Sequence, residues 1–171
     1  KALLPLPELL QRITLYLVDE RLEGERNIDT LYEAGLDEAF RRSLMQREQV
    51  RIPTVGEPLG NEPFDRVYVG VGEDGHFASL FPGSFPAQPR EQVILITDSP
   101  KPPKRRATLS YTGFETLAAG RKVFLLFFGE SKREALTRLL HSSEGPLTLP
   151  CAFFKSLDFA VTVVTDSEER V

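Results

Sequence analysis

The sequence predicts an α/β fold: a mostly parallel open sheet with helices on both faces. Three observations carry this reading. Strand-like apolar runs alternate with helix-like segments along a chain of 171 residues, the order expected when crossover helices link parallel strands. The run Val123-Phe124-Leu125-Leu126-Phe127-Phe128 lacks polar alternation, as a strand covered on both sides would. Polar clusters directly follow several strands, at the edge where open α/β sheets bind ligands.

The elements follow in order. Ile13–Val18 is apolar, β-branched and aromatic and predicts a buried strand. Leu36, Phe40 and Leu44 recur every four residues with Asp37, Glu38, Arg41 and Arg42 between them. That spacing predicts an amphipathic helix, which Pro53 keeps from running much further. Further strands are expected at Phe64–Val71, Val93–Thr97, Val123–Phe128 and Ala160–Thr165. Short helices are expected at Phe77–Phe81, at Thr112–Ala119 (capped by Thr112 and stopped at Gly120) and at Ser131–Leu140. Pro86 to Arg90 and Ser99 to Lys104 read as loops, and neither resembles a domain boundary. With no internal repeat or low-complexity linker, residues 1–171 are expected to form a single α/β domain.

Composition narrows the classes of function. With 41% hydrophobic and 27% charged residues the chain has the make-up of an ordinary soluble globular protein. No apolar run approaches the ~20 residues that span a bilayer. Lys1-Ala2-Leu3-Leu4-Pro5-Leu6-Pro7 is too short and proline-broken for a secretory signal. One cysteine, Cys151, excludes an intramolecular disulfide and fits a reducing compartment, the cytoplasm by default. A net charge of −4 gives no electrostatic reason to bind nucleic acid. The basic cluster Lys101, Lys104, Arg105 and Arg106 is interrupted by prolines and reads as a solvated loop, from which one or two charges could turn inward toward a phosphate. Two widely spaced histidines, one cysteine and no carboxylate set predict no dedicated metal site. Neither a Walker-type loop nor a complete dinucleotide fingerprint is present. Without a Gly-x-Ser-x-Gly elbow, Ser79 and Ser84 are poor nucleophile candidates.

The most informative stretch is Gly70-Val71-Gly72-Glu73-Asp74-Gly75-His76-Phe77-Ala78-Ser79-Leu80-Phe81-Pro82. A glycine-rich turn delivers Asp74 and His76, two residues apart, to the end of the Phe64–Val71 strand. An imidazole beside a carboxylate suits general-base chemistry near neutral pH. On residue types alone, a tight loop with a surface or capping histidine is an equal reading. Asp19-Glu20-Arg21 and Gly129-x-x-Lys132 also follow predicted strands, so parallel neighbours would bring all three clusters to one edge.

This Gly-x-Gly-x-Asp-Gly-His-x-Ala-Ser-Leu-Phe-Pro stretch resembles the signature of the 6-phosphogluconolactonases, whose wider family includes the glucosamine-6-phosphate deaminases (isomerases). Val18-Asp19-Glu20-Arg21, the Pro100-Lys101-Pro102-Pro103 to Arg106-Ala107-Thr108 segment, Gly129-Glu130-Ser131-Lys132, Leu149-Pro150-Cys151-Ala152 and Val164-Thr165-Asp166 are similar to further family segments, in the family's order. The resemblance implies a Rossmann-like α/β sheet. It also implies hydrolysis of 6-phospho-D-glucono-1,5-lactone to 6-phosphogluconate in the pentose phosphate pathway, without metal or organic cofactor. It makes His76 the base, Asp74 the residue orienting it or the sugar hydroxyls, and Arg106 and Lys132 phosphate ligands. Arg21 would meet the phosphate or the developing carboxylate. Asp19 would partner Arg21 or a sugar hydroxyl, and Glu20 would point away. The deaminase branch carries Asn-Glu-Pro where this chain has Leu80-Phe81-Pro82, and Phe81 cannot relay a proton.

One family feature has no counterpart. A Ser-Gly-Gly-Ser-like phosphate loop is expected before Asp-Glu-Arg, yet only 18 residues precede Asp19 and none resemble it. Either an N-terminal phosphate-loop segment is missing from the sequence, or the chain is a reduced relative gripping phosphate through Arg106, Lys132 and Arg21. The alternatives to the lactonase are a non-catalytic or repurposed sugar-phosphate-binding relative and, further behind, a glucosamine-6-phosphate deaminase.

Overall fold

The computed structural model describes residues 6–85, 90–155 and 159–166. The loop expected from Pro86 to Arg90 lies, Arg90 apart, outside the described residues, as does most of the opening segment Lys1–Pro7.

Helix α1 (Pro7–Leu10) leads into strands β1 (Leu15–Tyr16) and β2 (Asp19–Arg21). Helices α2 (Asn27–Leu31) and α3 (Asp37–Arg41) follow, joined by a π-helical turn at Tyr32–Leu36 in which Gly35 takes φ 114°. The chain continues through β3 (Val50–Arg51), β4 (Arg66–Gly70), β5 (Val93–Ile96), β6 (Arg106–Leu109), α4 (Tyr111–Ala118), β7 (Lys122–Phe127), α5 (Arg133–His141) and β8 (Ala160–Thr165).

The α/β class is as the alternation predicts, with strands β4, β7 and β8 forming a parallel sheet in that order. Helices α4 and α5 share its core: Phe114, Leu117, Leu136 and Leu139 pack with Val67, Val69, Val123, Leu125 and Phe127. The apolar run of β7 is nevertheless not covered equally on its two sides. Val123, Leu125 and Phe127 are buried while Phe124 and Leu126 are half-buried. Phe124 stacks instead on Tyr68 of β4 at 4.8 Å, and Tyr68 is 59% exposed.

A second sheet departs from the parallel expectation. β2, β6 and β5 pair antiparallel, in the order β2-β6-β5. The link from Thr97 to Arg105 contains no helix, and without a crossover the chain can only return antiparallel. The Ile13–Val18 run contributes only β1, which pairs parallel with β3. Asp19–Arg21, expected just beyond a strand, is itself a strand. The helix expected over Leu36–Leu44 ends at Arg41, since Ser43 adopts φ 55°. Its apolar side still works as the spacing implies: Leu36, Ala39 and Met45 bury with Leu10 and Ile28, and Phe40 and Leu44 pack against them. Helix α4 begins one residue early because Ser110, rather than Thr112, caps it by accepting the Gly113 N–H at 3.0 Å.

Candidate active site

The turn after β4 is built around two glycines. Gly72 N–H donates to the His76 carbonyl at 2.8 Å, and Gly75 N–H donates to the Gly72 carbonyl at 3.0 Å. A Cβ on Gly72 would lie 2.0 Å from the His76 ring, so only glycine lets the imidazole fold back over the turn. Gly75 takes φ 82°, and a Cβ there would meet Leu149 Cδ1 at 2.3 Å. The helix expected at Phe77–Phe81 does not form. Phe77 bridges to both Val71 and Leu80, and Ala78 adopts φ 49°, which reverses the chain. Phe77 itself is fully buried, its ring 5.2 Å from Phe114 and 4.7 Å from Phe154. Burying a side chain of this size stabilises by roughly 1.5–3 kcal/mol, which pins the residue next to His76 to the core.

His76 hydrogen-bonds through Nδ1 to Asp74 Oδ1, and its backbone N–H donates to the same oxygen at 3.2 Å. Using Nδ1 for the carboxylate leaves Nε2 as the acceptor of a neutral ring. The imidazole side chain is 16% exposed. Burial pushes its pKa below the ordinary 6.5; Asp74 opposes this, and the nearby Lys101 and Lys132 charges reinforce it. His76 is therefore neutral at pH 7 and able to take a proton. Burial works against ionisation of Asp74, but hydrogen bonds from His76 outweigh it and hold the carboxyl below its usual range.

Phe81 connects this pair to the second sheet. Its ring centre lies 4.6 Å from that of His76 and 5.8 Å from the Arg106 guanidinium carbon. Arg106 is 6% exposed. Its Nε donates to the Pro103 carbonyl, and Nη2 donates to the carbonyls of Lys101 and Pro102, all at 3.1 Å. Nη1 reaches Ser79 Oγ at 3.5 Å. Ser79, buried, in turn donates to Asp19 Oδ2 at 2.9 Å. Packing around the Asp19 carboxyl raises its pKa, and the Ser79 hydrogen bond and Arg106 charge only partly offset this. Asp19 is thus a strut tying β2 to the turn.

Arg21 stands directly across the β2–β6 pair from Arg106. Like charges opposite one another on neighbouring strands are destabilising, so an anion between them would offset a local cost. Arg21 Nη1 donates to the Glu25 carbonyl at 3.2 Å, and its buried Nε has no hydrogen-bond partner among the described residues. Lys132 sits in a 3-10 turn, Glu130–Lys132, ahead of α5 rather than inside the predicted Ser131–Leu140 helix. Its charge is felt by both His76 and Glu73. His76, Asp74, Asp19 and Arg106 are thus joined through the turn and Ser79, while Arg21 faces Arg106 across β2–β6 and Lys132 acts on His76 through its charge.

Three contributors escape a reading of the sequence. Glu20 is buried and caps α2, its carboxylate accepting the Asn27 N–H at 2.6 Å and the Ile28 N–H at 3.0 Å. Ser79 acts as a bridge, and Phe81 as the wall shared by His76 and Arg106. Both lie within the Gly70–Pro82 stretch, but their residue types do not signal these contacts. Cys151, whose N–H donates to the Gly75 carbonyl at 2.9 Å, backs the turn, and burial pushes its thiol up to about 12. It packs rather than reacts. Among the described residues, no three His, Cys, Asp or Glu side chains gather as a metal set.

A 6-phosphogluconolactonase of Bos taurus is 44% identical over 159 residues, covering 81% of this chain and 60% of that protein. The 6-phosphogluconolactonase of Homo sapiens is 33% identical over 159 residues, with the same 81% and 60% coverage. The chain thus spans less than two thirds of either relative. The crystal structure of 6-phosphogluconolactonase from Thermotoga maritima superimposes with a TM-score of 0.68 at 24% identity, covering 91% of this chain and 73% of that one. A monomeric glucosamine-6-phosphate deaminase shares the fold with a TM-score of 0.64 at 18% identity, covering 92% of this chain and 74% of that one. The fold alone is therefore common to both activities. A family model described as glucosamine-6-phosphate isomerases/6-phosphogluconolactonase matches residues 8–163, and the chain belongs to that family.

Proposed function

We propose that this chain hydrolyses 6-phospho-D-glucono-1,5-lactone to 6-phosphogluconate, with His76 as general base. The observation that carries the proposal is the Asp74–His76 pair: a neutral imidazole with Nδ1 committed to a carboxylate and Nε2 left to accept a proton. His76 Nε2 takes a proton from water as the water oxygen bonds to the lactone carbonyl carbon. The resulting oxyanion then collapses, the bond from that carbon to the ring oxygen breaks, and the imidazolium returns its proton to the departing ring oxygen. Asp74, held ionised, stabilises the imidazolium between the two transfers.

The phosphate would be gripped by Lys132 and Arg21, with the buried Arg106 charge opposite Arg21 adding to the positive field that an anion relieves. The deaminase reading is disfavoured by Phe81, which packs on His76 where the resemblance puts a glutamate in that branch. A lone buried thiol suits a reducing compartment, and we assign the protein to the cytoplasm. No helix among the described residues is long and apolar enough to cross a membrane.

The test follows loss of freshly generated 6-phosphogluconolactone against its spontaneous rate. The wild-type chain is expected to accelerate it, and His76→Ala to lose about 10²–10⁴-fold in kcat while melting at a similar temperature. Saturable binding of 6-phosphogluconate with no acceleration would favour a non-catalytic sugar-phosphate binder instead.

A further inference from the structure

The hydrogen bonds of Arg106 leave it poorly equipped to be the main phosphate clamp. A guanidinium has five N–H donors. Three of them, on Nε and Nη2, are committed to the Pro103, Lys101 and Pro102 carbonyls, and Nη1 reaches Ser79 Oγ at 3.5 Å. Only Nη1 is left, so the two parallel bonds from two nitrogens with which arginine holds a phosphate are not available. What Arg106 does firmly is shape the loop before β6.

That loop is fixed at one residue above all. The Lys101 carbonyl accepts from Arg106 Nη2 at 3.1 Å and from Ser99 Oγ at 2.8 Å, and the Lys101 N–H donates back to Ser99 Oγ at 3.2 Å. Ser99 is fully buried, and its own N–H donates to the Lys104 carbonyl at 3.1 Å. The Lys101 side chain leaves this platform toward the catalytic turn, where Nζ meets Glu73 Oε1 at 3.0 Å. Glu73 immediately precedes Asp74, so the ammonium stands beside the Asp74–His76 pair. An ion pair this exposed contributes little stability, and the buried framework beneath it is far more elaborate than such a pair requires.

From this we infer that Lys101 is a binding residue for the substrate's phosphate, aimed by Arg106 and Ser99, and that Glu73 competes with the phosphate for its ammonium. The inference rests on the lactonase reading and adds to it a cation and a competing carboxylate that set affinity for phosphorylated over unphosphorylated lactones. A compact ammonium with three donors can exchange Glu73 for a phosphate oxygen by a change of side-chain rotamer, with the backbone platform unmoved.

The experiment compares wild type, Lys101→Met and Glu73→Gln on 6-phosphogluconolactone and on the unphosphorylated glucono-1,5-lactone, with calorimetric titration of 6-phosphogluconate alongside. Lys101→Met is expected to raise KM for the phosphorylated lactone roughly 10- to 100-fold, the loss of one charge-assisted hydrogen bond. No such penalty is expected on the unphosphorylated lactone. Glu73→Gln is expected to lower KM for the phosphorylated substrate, and 6-phosphogluconate affinity is expected to follow both changes. A wild type that accelerates the reaction, with KM unmoved in Lys101→Met, would overturn the inference and leave the lactonase reading intact. A wild type that accelerates nothing would overturn the lactonase reading. Lys101 is then decided by the titration alone: weaker 6-phosphogluconate binding in Lys101→Met supports it, and equal or absent binding in both proteins overturns it.

Discussion

Asp74 and Asp19 stand at the same edge of the molecule and are held in opposite ways. Asp74 is partly open to solvent and receives two hydrogen bonds from His76, which keep its carboxyl below the usual range. Asp19, half-buried at the start of β2, accepts the Ser79 hydroxyl, and burial of its carboxyl raises its pKa despite that bond and the Arg106 charge. The first arrangement favours a fixed negative charge beside an imidazole, as a general base requires when it becomes an imidazolium. The second favours a mechanical link, in which a carboxylate ties Ser79 and Asn27 together at the cost of its own solvation. On the proposed reading the two aspartates divide the work between proton transfer and scaffold, and environment rather than residue type makes the division.

The contrast breaks most severely at Gly72. A methyl group there collides with the His76 ring at 2.0 Å, so Gly72→Ala should drive the imidazole off Asp74 while leaving the core anchored by Phe77. We expect kcat to fall on the order of 10²-fold or more, approaching the loss in His76→Ala, with only a small change in melting temperature. Steady-state kinetics paired with a thermal melt checks both halves. Ser79→Ala strikes the other aspartate. It removes a hydrogen bond to a carboxylate and the bridge to Arg106, so stability should drop by about 1.5–3 kcal/mol in urea unfolding, with far less effect on kcat than Gly72→Ala. If Ser79→Ala instead abolished turnover without loss of stability, Asp19 would belong with the chemistry and the division would fail.

How much of this is legible in the sequence follows from the range of the interactions. Strands β4, β7 and β8 are each announced by a local apolar run. The Asp74–His76 pair is announced by two residues within one glycine-rich turn. The antiparallel pairing of Asp19–Arg21 with Arg106–Thr108 joins segments far apart in the chain, and no local pattern encodes it. The opposed Arg21 and Arg106, and the Asp19–Ser79–Arg106 link, depend on that pairing and are hidden with it. The expected helix at Phe77–Phe81 fails for a different reason. Its apolar spacing suits a helix, but Ala78 at φ 49° and two bridges through Phe77 turn the chain back on itself, so tertiary packing overrides the local preference. Glu20 reads as a solvent-facing member of an acidic-basic trio, yet buries to cap α2 because β2 delivers it against the helix N-terminus.

The most direct test of the central claim, that His76 acts as a neutral base oriented by Asp74, is the pH dependence of kcat/KM for 6-phosphogluconolactone hydrolysis after subtraction of the spontaneous rate. The base works only when unprotonated, so activity is lost as pH falls through the His76 pKa. Burial sets that pKa below the ordinary 6.5. The expected profile has a single acid limb with its midpoint below 6.5, falling about tenfold per pH unit beneath it, and that limb is absent in the residual rate of His76→Ala. An acid limb centred above 7, or one that persists unchanged in His76→Ala, would contradict it.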